Sequence, residues 1–253
     1  MKYNIAIVGA TGAVGRRMLS TLLERNFPIK NLTLLASERS AGKKIKSNNL
    51  EFTVKNLESF NFKNTNLAFF SAGSETSKKY ALIAEESECY VIDNTSCFRM
   101  DSDIPLVVPE INDKELIKSK RKIISNPNCS TIQMLVALKP INEVSKINEV
   151  VVSTYQSVSG AGQKAIKELE EQTKGVLDKK NIDIKHIPKQ IAFNVVPHID
   201  TFLNNRYTKE EIKMVKETRK ILDENILVNA TCVRVGTFIG HAESIYVKLE
   251  EKI

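Results

Sequence analysis

A glycine-rich segment near the N-terminus limits the folds open to this chain more than any other feature. Gly9, Gly12 and Gly15 follow the apolar, β-branched run at residues 3–8, and helical spacing of apolar residues begins at residue 13. A strand that turns this tightly into a helix brings backbone N–H groups close to a bound diphosphate. The segment predicts a dinucleotide site, with a tight turn lacking any ligand as the alternative. The residues assigned to that site are Gly9, Thr11, Gly12, Ala13, Val14 and Gly15.

Short strand-like and helix-like runs alternate through the first half of the chain. Further strands are predicted at residues 32–36, 67–70, 90–92, 106–108 and 122–124, and helices at residues 13–24, 77–86 and 113–119. The first helix is predicted to present Val14, Met18, Leu22 and Leu23 on one face. This alternation is typical of an α/β fold in which helices cover both faces of a mostly parallel, Rossmann-like sheet.

The second half has longer strands and fewer helices. Strands are predicted at residues 149–155, 228–235 and 242–249, and a polar helix at residues 164–174. After an irregular stretch at 175–207, Thr208 and Glu211 form a capping box that begins a long helix. We predict an α+β domain with an antiparallel or mixed sheet. The boundary is placed near Pro127, which gives domains 1–127 and 128–253.

Composition and charge exclude several classes of protein. The net charge is +7, but the lysines are spread along all 253 residues, and no nucleic-acid-binding motif accompanies them. We therefore expect no nucleic-acid partner. No apolar run is long enough to span a membrane and no signal peptide is recognised, so we expect a cytoplasmic protein without a membrane partner. The four cysteines lie far apart, which favours reduced thiols. No metal-binding residue is assigned.

Two loops extend the predicted cofactor site. The end of the second strand carries Ser37, Arg39 and Ser40. A guanidinium between two serines suits the 2′-phosphate of NADP, although Glu38 could instead bind the ribose hydroxyls of NAD. We favour NADP. Small residues at Ser71, Ala72 and Gly73 follow another strand and would let a dinucleotide pass closely.

Cys129 is the candidate nucleophile. It lies between the strand at 122–124 and a predicted helix at 131–138. The positive end of the helix dipole favours thiolate over thiol, and backbone N–H groups at the same turn could hold an oxyanion. The alternative is a buried, inert thiol.

A cysteine nucleophile requires a base, and the chain has three histidines. His186 lies in a lysine-rich, irregular stretch, and His198 follows a proline. His241 begins a strand after Gly240, which leaves room beside the ring. His241 is therefore the candidate, and a structural role is equally compatible with its spacing.

Taken together, these segments resemble the aspartate-semialdehyde dehydrogenase family along almost the whole chain. The matching segments are residues 9–15, 36–42, 93–99, 105–110, 125–131, 154–160, 232–236 and 238–244. The segments around Cys129 and His241 are the most specific. The resemblance implies an NADP-binding domain at 1–127 and a catalytic and dimerisation domain at 128–253, assembled as a homodimer.

The resemblance also implies a reaction. L-Aspartyl-4-phosphate would be reduced by NADPH, with loss of phosphate, to L-aspartate 4-semialdehyde, a step in lysine, methionine, threonine and diaminopimelate biosynthesis. Cys129 would attack the acyl carbon and form a thioester. His241 would act as acid and base, and Gln156 would orient the acyl intermediate.

Further family positions imply contacts with substrate and cofactor. Arg234 would hold the α-carboxylate and Glu210 the ammonium group. Glu210 and Lys213 share one face of the capped helix, where an exposed ion pair is the alternative. Phosphate would be bound by Lys213, Arg99 and Asn128. Ser159 and Gly160 would add cofactor contacts.

Family members typically continue beyond the point that corresponds to Ile253, so a fragment or a shortened protein is expected. Two other functions stay open. One is N-acetyl-γ-glutamyl-phosphate reductase, which shares the chemistry. The other is a catalytically impaired subunit that acts only through dimerisation.

Overall fold

The first half of the chain folds into a sheet whose strand order reflects its βα alternation. The strands of this sheet are β1 (Tyr3–Val8), β2 (Ile29–Ala36), β3 (Lys44–Ser47), β4 (Leu50–Asn56), β5 (Leu67–Phe70), β6 (Tyr90–Asp93) and β7 (Ile123–Ser125). A computed structural model describes residues 1–252 and pairs these strands in the order β3-β4-β2-β1-β5-β6-β7. The β3–β4 pair is antiparallel and the other pairs are parallel.

Helices connect the parallel strands. They are α1 (Ala13–Glu24), α2 (Ser74–Glu86), α3 (Pro109–Asn112) and α4 (Lys114–Lys118), with a 3₁₀ turn at Glu38–Ser40. Apolar clusters pack around the sheet and include Val8, Phe70 and Ile123 in one cluster and Ile7, Leu19 and Leu34 in another. The chain divides into two compact units, Met1–Pro127 and Asn128–Ile253.

The rotation of α1 differs from the prediction. Gly15, Leu19 and Leu22 are its buried residues, whereas Val14 is 45% exposed. A Cβ at Gly15 would lie 2.3 Å from the Gly9 carbonyl oxygen. Because only glycine permits this approach, the Gly15 side of the helix faces the turn and Val14 points away.

In the first unit, one strand prediction was wrong and one hairpin was not predicted. Residues 106–108 were predicted as a strand but form one isolated bridge, from Leu106 to Ser125. Pro105 and Pro109 flank the run, and proline cannot donate to a ladder, so the pairing does not extend. The β3–β4 hairpin was not predicted, although Leu50, Phe52 and Val54 of β4 alternate with polar residues. Its turn residues Asn48 and Asn49 both have positive φ, which suits a two-residue hairpin turn.

The second unit contains a four-stranded mixed sheet. Its elements are α5 (Cys129–Val144), β8 (Ile147–Gln156), α6 (Gln163–Leu177), β9 (Val195–Val196), α7 (Lys209–Ile221), β10 (Leu227–Val235) and β11 (His241–Leu249), with a 3₁₀ turn at Val158–Ala161. The strand order is β11-β8-β10-β9, and β8 is parallel to β10 and antiparallel to β11. This arrangement confirms the predicted fold class. Thr208 caps α7 in the predicted capping box with Glu211.

Side chains alternate between the two faces of this second sheet. On β8, Val150, Val152 and Thr154 are buried, whereas Val151 and Tyr155 are 40% and 44% exposed. Tyr246, opposite Val151 on β11, is 62% exposed. One face is therefore covered by protein within the unit, and the other presents apolar and aromatic side chains to solvent.

Within residues 1–252, no helix has both the length and the apolar character required to cross a membrane. Over the same span, no group of three or more His, Cys, Asp or Glu side chains is placed to hold a metal ion. The four cysteines are free thiols.

Candidate active site

The glycine-rich turn of the first unit opens onto a cleft of about 370 Å³. Its lining contains most of the predicted cofactor residues of this unit, namely Gly9, Thr11, Gly12, Ser37, Arg39, Ser40, Ser71 and Ala72. Ala36, Leu57, Glu58, Thr76 and Tyr80 complete the lining. The predicted residues Ala13, Val14, Gly15 and Gly73 are not among the lining residues. The carboxyl ends of β1, β2 and β5 thus meet at one cleft, as expected for parallel strands.

Glycine is required at two of the three glycine positions of the turn, for different physical reasons, and the third position has neither restriction. Gly9 has φ of +87°, and a Cβ there would lie 2.9 Å from backbone atoms of Ser71 and Ala72. Gly15 is required by the close packing of α1 on the turn. Gly12 meets neither restriction, since a Cβ there would make only an ordinary contact at 3.4 Å. Its missing side chain leaves the cleft open where a ligand would approach the N-terminus of α1, so the turn fits a dinucleotide.

Arg39 lies in the 3₁₀ turn after β2, beside Ser40, which is buried. Among residues 1–252, no carboxylate forms an ion pair with Arg39. The guanidinium at the cleft is therefore available to bind an anionic group. Glu38, the candidate ribose-binding residue of an NAD site, does not line the cleft, whereas Glu58 does.

The sheet register of the second unit places three predicted residues in one row. Gln156, at the end of β8, pairs with Arg234 on β10 and with His241 on β11. Directly paired residues project from the same face of a sheet. Gln156 and Arg234 are buried, and His241 is half-buried. An amide, a guanidinium and an imidazole therefore stand side by side.

Helix α5 begins at Cys129, and Asn128 is its N-cap. The Asn128 side-chain oxygen accepts from the backbone N–H groups of Ser130 and Thr131, at 2.9 and 3.4 Å. Its amide nitrogen donates to Glu210 Oε1 at 2.8 Å. The residue before Cys129 is thus bound both to its own helix and to α7.

Glu210 is the meeting point of several candidate residues. Besides Asn128, its carboxylate accepts a 3.3 Å hydrogen bond from Gln156 Nε2 and pairs with Lys213 Nζ at 3.1 Å. Lys213 also pairs with Asp200 at 2.9 Å. The carboxylates of Glu210 and Asp200 raise the pKa of Lys213 and outweigh the opposing effect of its burial. Lys213 is accordingly a firmly protonated cation.

The Cys129 thiol does not have the lowered pKa expected from its place at a helix N-terminus. Cys129 has solvent access, but protein atoms crowded around the sulfur raise its pKa, and the negative charge of Glu210 raises it further. Hydrogen bonds from Ser130 act in the opposite direction without reversing the shift. The helix N-terminus does favour the thiolate as predicted, because the Ser130 N–H lowers the pKa, but burial and the charge of Glu210 outweigh that contribution. The net upward shift favours the thiol form of Cys129.

His241 is held in one tautomer. Its Nδ1 accepts a hydrogen bond from the Ser157 backbone N–H at 3.0 Å. Burial lowers the pKa of His241, and the nearby charge of Arg234 lowers it further. The ring is therefore neutral at pH 7, and its proton lies on Nε2. In this state the ring donates from Nε2.

Arg234 depends on a glycine for its position. Its Nη1 donates to the Ser157 carbonyl oxygen at 2.8 Å, and a Cβ at Gly160 would lie 2.9 Å from the same nitrogen. Gly160 thus makes room for the guanidinium. Burial lowers the pKa of Arg234, while the charge of Glu210 opposes that shift. An arginine side chain remains charged in any case.

Arg99 and Ser159 are the remaining predicted residues. Arg99 is buried in the first unit, where Nη2 donates to the Asn94 carbonyl oxygen at 3.0 Å. Ser159 lies in the second unit, in the 3₁₀ turn after β8, and its hydroxyl contacts that of Ser157 at 2.8 Å.

Three residues that hold this site were missed by the sequence analysis. Ser157 binds both His241 and Arg234 through its backbone, a contact that leaves no trace in the sequence. Asp200 binds Lys213 from an irregular segment, where no periodic sequence pattern indicates which side chains face the site. Glu217 accepts from the Asn128 backbone N–H. Its place seven residues after Glu210, on the same helix face, was a signal that could have identified it.

Comparison with known proteins identifies both units. Residues 4–119 match the family model of the semialdehyde dehydrogenase NAD-binding domain. Residues 138–253 match that of the semialdehyde dehydrogenase dimerisation domain.

Individual relatives agree with these matches. Aspartate-semialdehyde dehydrogenase of Aquifex aeolicus is 55% identical over 257 residues, covering 100% of this chain and 76% of the relative. A crystal structure of aspartate semialdehyde dehydrogenase II complexed with ASA, from Vibrio cholerae, is 53% identical, with a TM-score of 0.98 over 100% of this chain and 76% of that one. The enzyme of Candida albicans, solved with NADP, is 25% identical, with a TM-score of 0.73 over 100% and 73%. The chain belongs to the aspartate-semialdehyde dehydrogenase family.

Proposed function

We propose that this protein reduces L-aspartyl-4-phosphate to L-aspartate 4-semialdehyde and phosphate, with NADPH as reductant and a thioester on Cys129 as intermediate. The observation that carries the proposal is the row of Arg234, Gln156 and His241 on one sheet face, in the unit where Cys129 begins a helix. The names of the relatives support the same activity. A cytoplasmic location is part of this proposal and rests on the sequence features given above.

The charges around Gln156 suit a zwitterionic substrate. Arg234 supplies a buried guanidinium for the α-carboxylate, and Glu210 a buried carboxylate for the ammonium group. Lys213 and Asn128 both contact Glu210, and in our proposal they bind the phosphate together with Arg99. Gln156 donates to Glu210, so it can turn its amide toward the acyl group when substrate engages that carboxylate.

Substrate binding would itself activate the nucleophile. In the free protein, the charge of Glu210 helps to keep Cys129 protonated. An ammonium group bound to Glu210 would offset that charge, and the pKa of the thiol would fall. The sulfur would then attack the acyl carbon as the acyl C–O bond to phosphate breaks, and the thiol proton would leave with the departing group as hydrogen phosphate.

His241 then acts on the oxygen of the acyl group. Its neutral ring carries the proton on Nε2, so it can donate a hydrogen bond to this oxygen as negative charge develops there during reduction. In the reverse reaction, the same N–H would stabilise that charge again. The Ser157 backbone N–H keeps Nδ1 unprotonated in both directions.

The cleft of the first unit fits the cofactor. Gly9 and Gly12 would hold the diphosphate, and Arg39, flanked by Ser37 and Ser40, the 2′-phosphate of NADP. The cofactor, when bound, supplies the hydride for reduction of the thioester. The Candida albicans relative, solved with NADP, supports this choice.

The open face of the second sheet supports a homodimer. Val151, Tyr155 and Tyr246 expose apolar surface on adjacent strands, and the family model that matches this unit describes a dimerisation domain. A sheet face of this kind is commonly covered by a partner. We propose that a second copy of the chain covers it.

The activity is tested in the reverse direction, with L-aspartate 4-semialdehyde, phosphate and NADP⁺, by following NADPH absorbance. We expect phosphate-dependent turnover that is lost in Cys129→Ala, because the thioester cannot form. Cys97→Ala is the matched control and should retain activity. A folded wild-type protein without turnover would show that this chain is not an active dehydrogenase, as in the non-catalytic alternative.

The cofactor preference is tested with Arg39→Leu. Losing a charged hydrogen bond costs about 1.5–3 kcal/mol, so KM for NADP⁺ should rise about 10- to 100-fold. KM for NAD⁺, which lacks the 2′-phosphate, should change little. Arg17→Leu, an exposed residue of α1, should change neither constant. An equal rise for both cofactors in Arg39→Leu would contradict the assigned role.

The influence of Glu210 on the nucleophile is tested by alkylation. The rate at which iodoacetamide labels Cys129, followed by peptide mass spectrometry, should rise about tenfold per pH unit from pH 7 to 9. Glu210→Gln removes a negative charge that disfavours the thiolate, so its rate profile should move to lower pH. Glu171→Gln, an exposed site in the same unit, should leave the profile unchanged. An unchanged or upward-shifted profile in Glu210→Gln would contradict the argument.

The dimer is tested by sedimentation equilibrium at micromolar concentration. Wild type should be a dimer, and Tyr155→Glu combined with Tyr246→Glu should be a monomer, because charge would be buried in the interface. Ile117→Glu, an exposed residue of the first unit, serves as the control and should remain dimeric. A monomeric wild type, or a dimeric double variant, would exclude this face.

A further inference from the structure

A carboxylate outside the proposed catalytic set contacts the turn that carries the nucleophile. Glu217, on α7, accepts a 2.6 Å hydrogen bond from the Asn128 backbone N–H through Oε2. Glu217 is 1% exposed. Burying a carboxylate is unfavourable unless it is well paired, so this contact requires a physical explanation.

The explanation lies in how α5 begins. In a capping box, the third residue of a helix reaches back and accepts from the N–H of the cap residue. Helix α7 does this with its own Glu211, which accepts from Thr208. The third residue of α5 is Thr131, whose hydroxyl has no hydrogen-bond partner within residues 1–252. The missing acceptor for α5 is supplied instead by Glu217, 89 residues further along the chain.

Two carboxylates of α7 therefore hold the same residue. Glu210 accepts from the Asn128 side chain at 2.8 Å, and Glu217 accepts from its backbone at 2.6 Å. The two glutamates are seven residues apart, which places them two turns apart on one helix face. The side chain and the backbone of Asn128 are each anchored to α7, directly before Cys129.

We infer that Glu217 is a positioning residue that fixes the backbone of the Cys129 turn for attack. This inference rests on the proposed function. Glu217 touches neither substrate nor cofactor in this scheme, and acts through Asn128. A displacement of about 1 Å at a reacting group can cost about 100-fold in rate, so the contact has consequences for catalysis as well as for folding.

Two substitutions distinguish the effect of the length of the Glu217 side chain from the effect of its charge. Glu217→Gln keeps the length of the side chain and an oxygen acceptor but removes the charge. Glu217→Asp keeps the charge and withdraws the carboxylate by one methylene group. If the accepted hydrogen bond is what matters, Glu217→Gln should retain kcat within about threefold and Glu217→Asp should lose about 10- to 100-fold. KM for semialdehyde should stay within about threefold in both, since the substrate-binding side chains are unchanged.

Glu224→Ala, an exposed residue after the same helix, is the matched control and should behave as wild type. Hydrogen exchange of the Asn128 amide gives a readout independent of activity. This amide should be protected in wild type and Glu217→Gln, and should exchange faster in Glu217→Asp. If wild type has no turnover, the proposed function fails, while the exchange measurement still tests the contact.

Three results would overturn the inference. Glu217→Asp with wild-type kcat would show that the position of the carboxylate is unimportant. Glu217→Gln as impaired as Glu217→Asp would assign the effect to charge. Equal amide exchange in all variants would show that Glu217 does not hold this N–H. The expected pattern is an active Glu217→Gln and an impaired Glu217→Asp at unchanged KM, with kcat referred to the amount of folded protein in each sample.

Discussion

The pairing of β8 with its two neighbours is the constraint on which the candidate active site depends. β8 pairs with β10 on one side and with β11 on the other, and its last residue, Gln156, aligns with Arg234 and His241. A slip of one residue in either pairing would send the partner side chain to the opposite face. Buried residues such as Val150 and Val152 resist that slip, because it would expose them. The apolar alternation of β8 therefore helps to fix the register that places Gln156, Arg234 and His241 in one row.

Helix α7 supplies the carboxylates that connect the sheet residues to the turn before Cys129. Its capping box fixes where the helix starts, and that start determines which glutamates face the turn before Cys129. Glu210 then connects the N-cap of α5 to the row on the sheet through Asn128 and Gln156. Three elements distant in sequence thus meet at one buried carboxylate.

Features that depend on neighbouring residues could be predicted from the sequence. The capping box of α7, the glycine turn after β1 and the start of α5 near Cys129 are of this kind. Contacts between distant segments could not, and the hydrogen bonds of Ser157 and Asp200 have no local signature. The spacing of Glu217 from Glu210 indicates a shared helix face but does not identify Asn128 as its partner. The pKa of Cys129 shows both cases. The helix dipole is visible in the sequence, whereas the crowding around the sulfur and the charge of Glu210 arise only when α5 and α7 pack together.

The raised pKa of Cys129 also has a consequence for oxidation of this thiol. Peroxides and other electrophiles attack thiolates far faster than thiols, and a sulfenic acid is the first product of that damage. A cysteine whose pKa is raised by burial and by the charge of a carboxylate is a poor target, even with solvent access. Vulnerability would then be confined to the short interval in which a bound amino acid offsets the carboxylate. The same electrostatic arrangement that delays the thiolate until substrate arrives would shield an exposed cysteine from its surroundings.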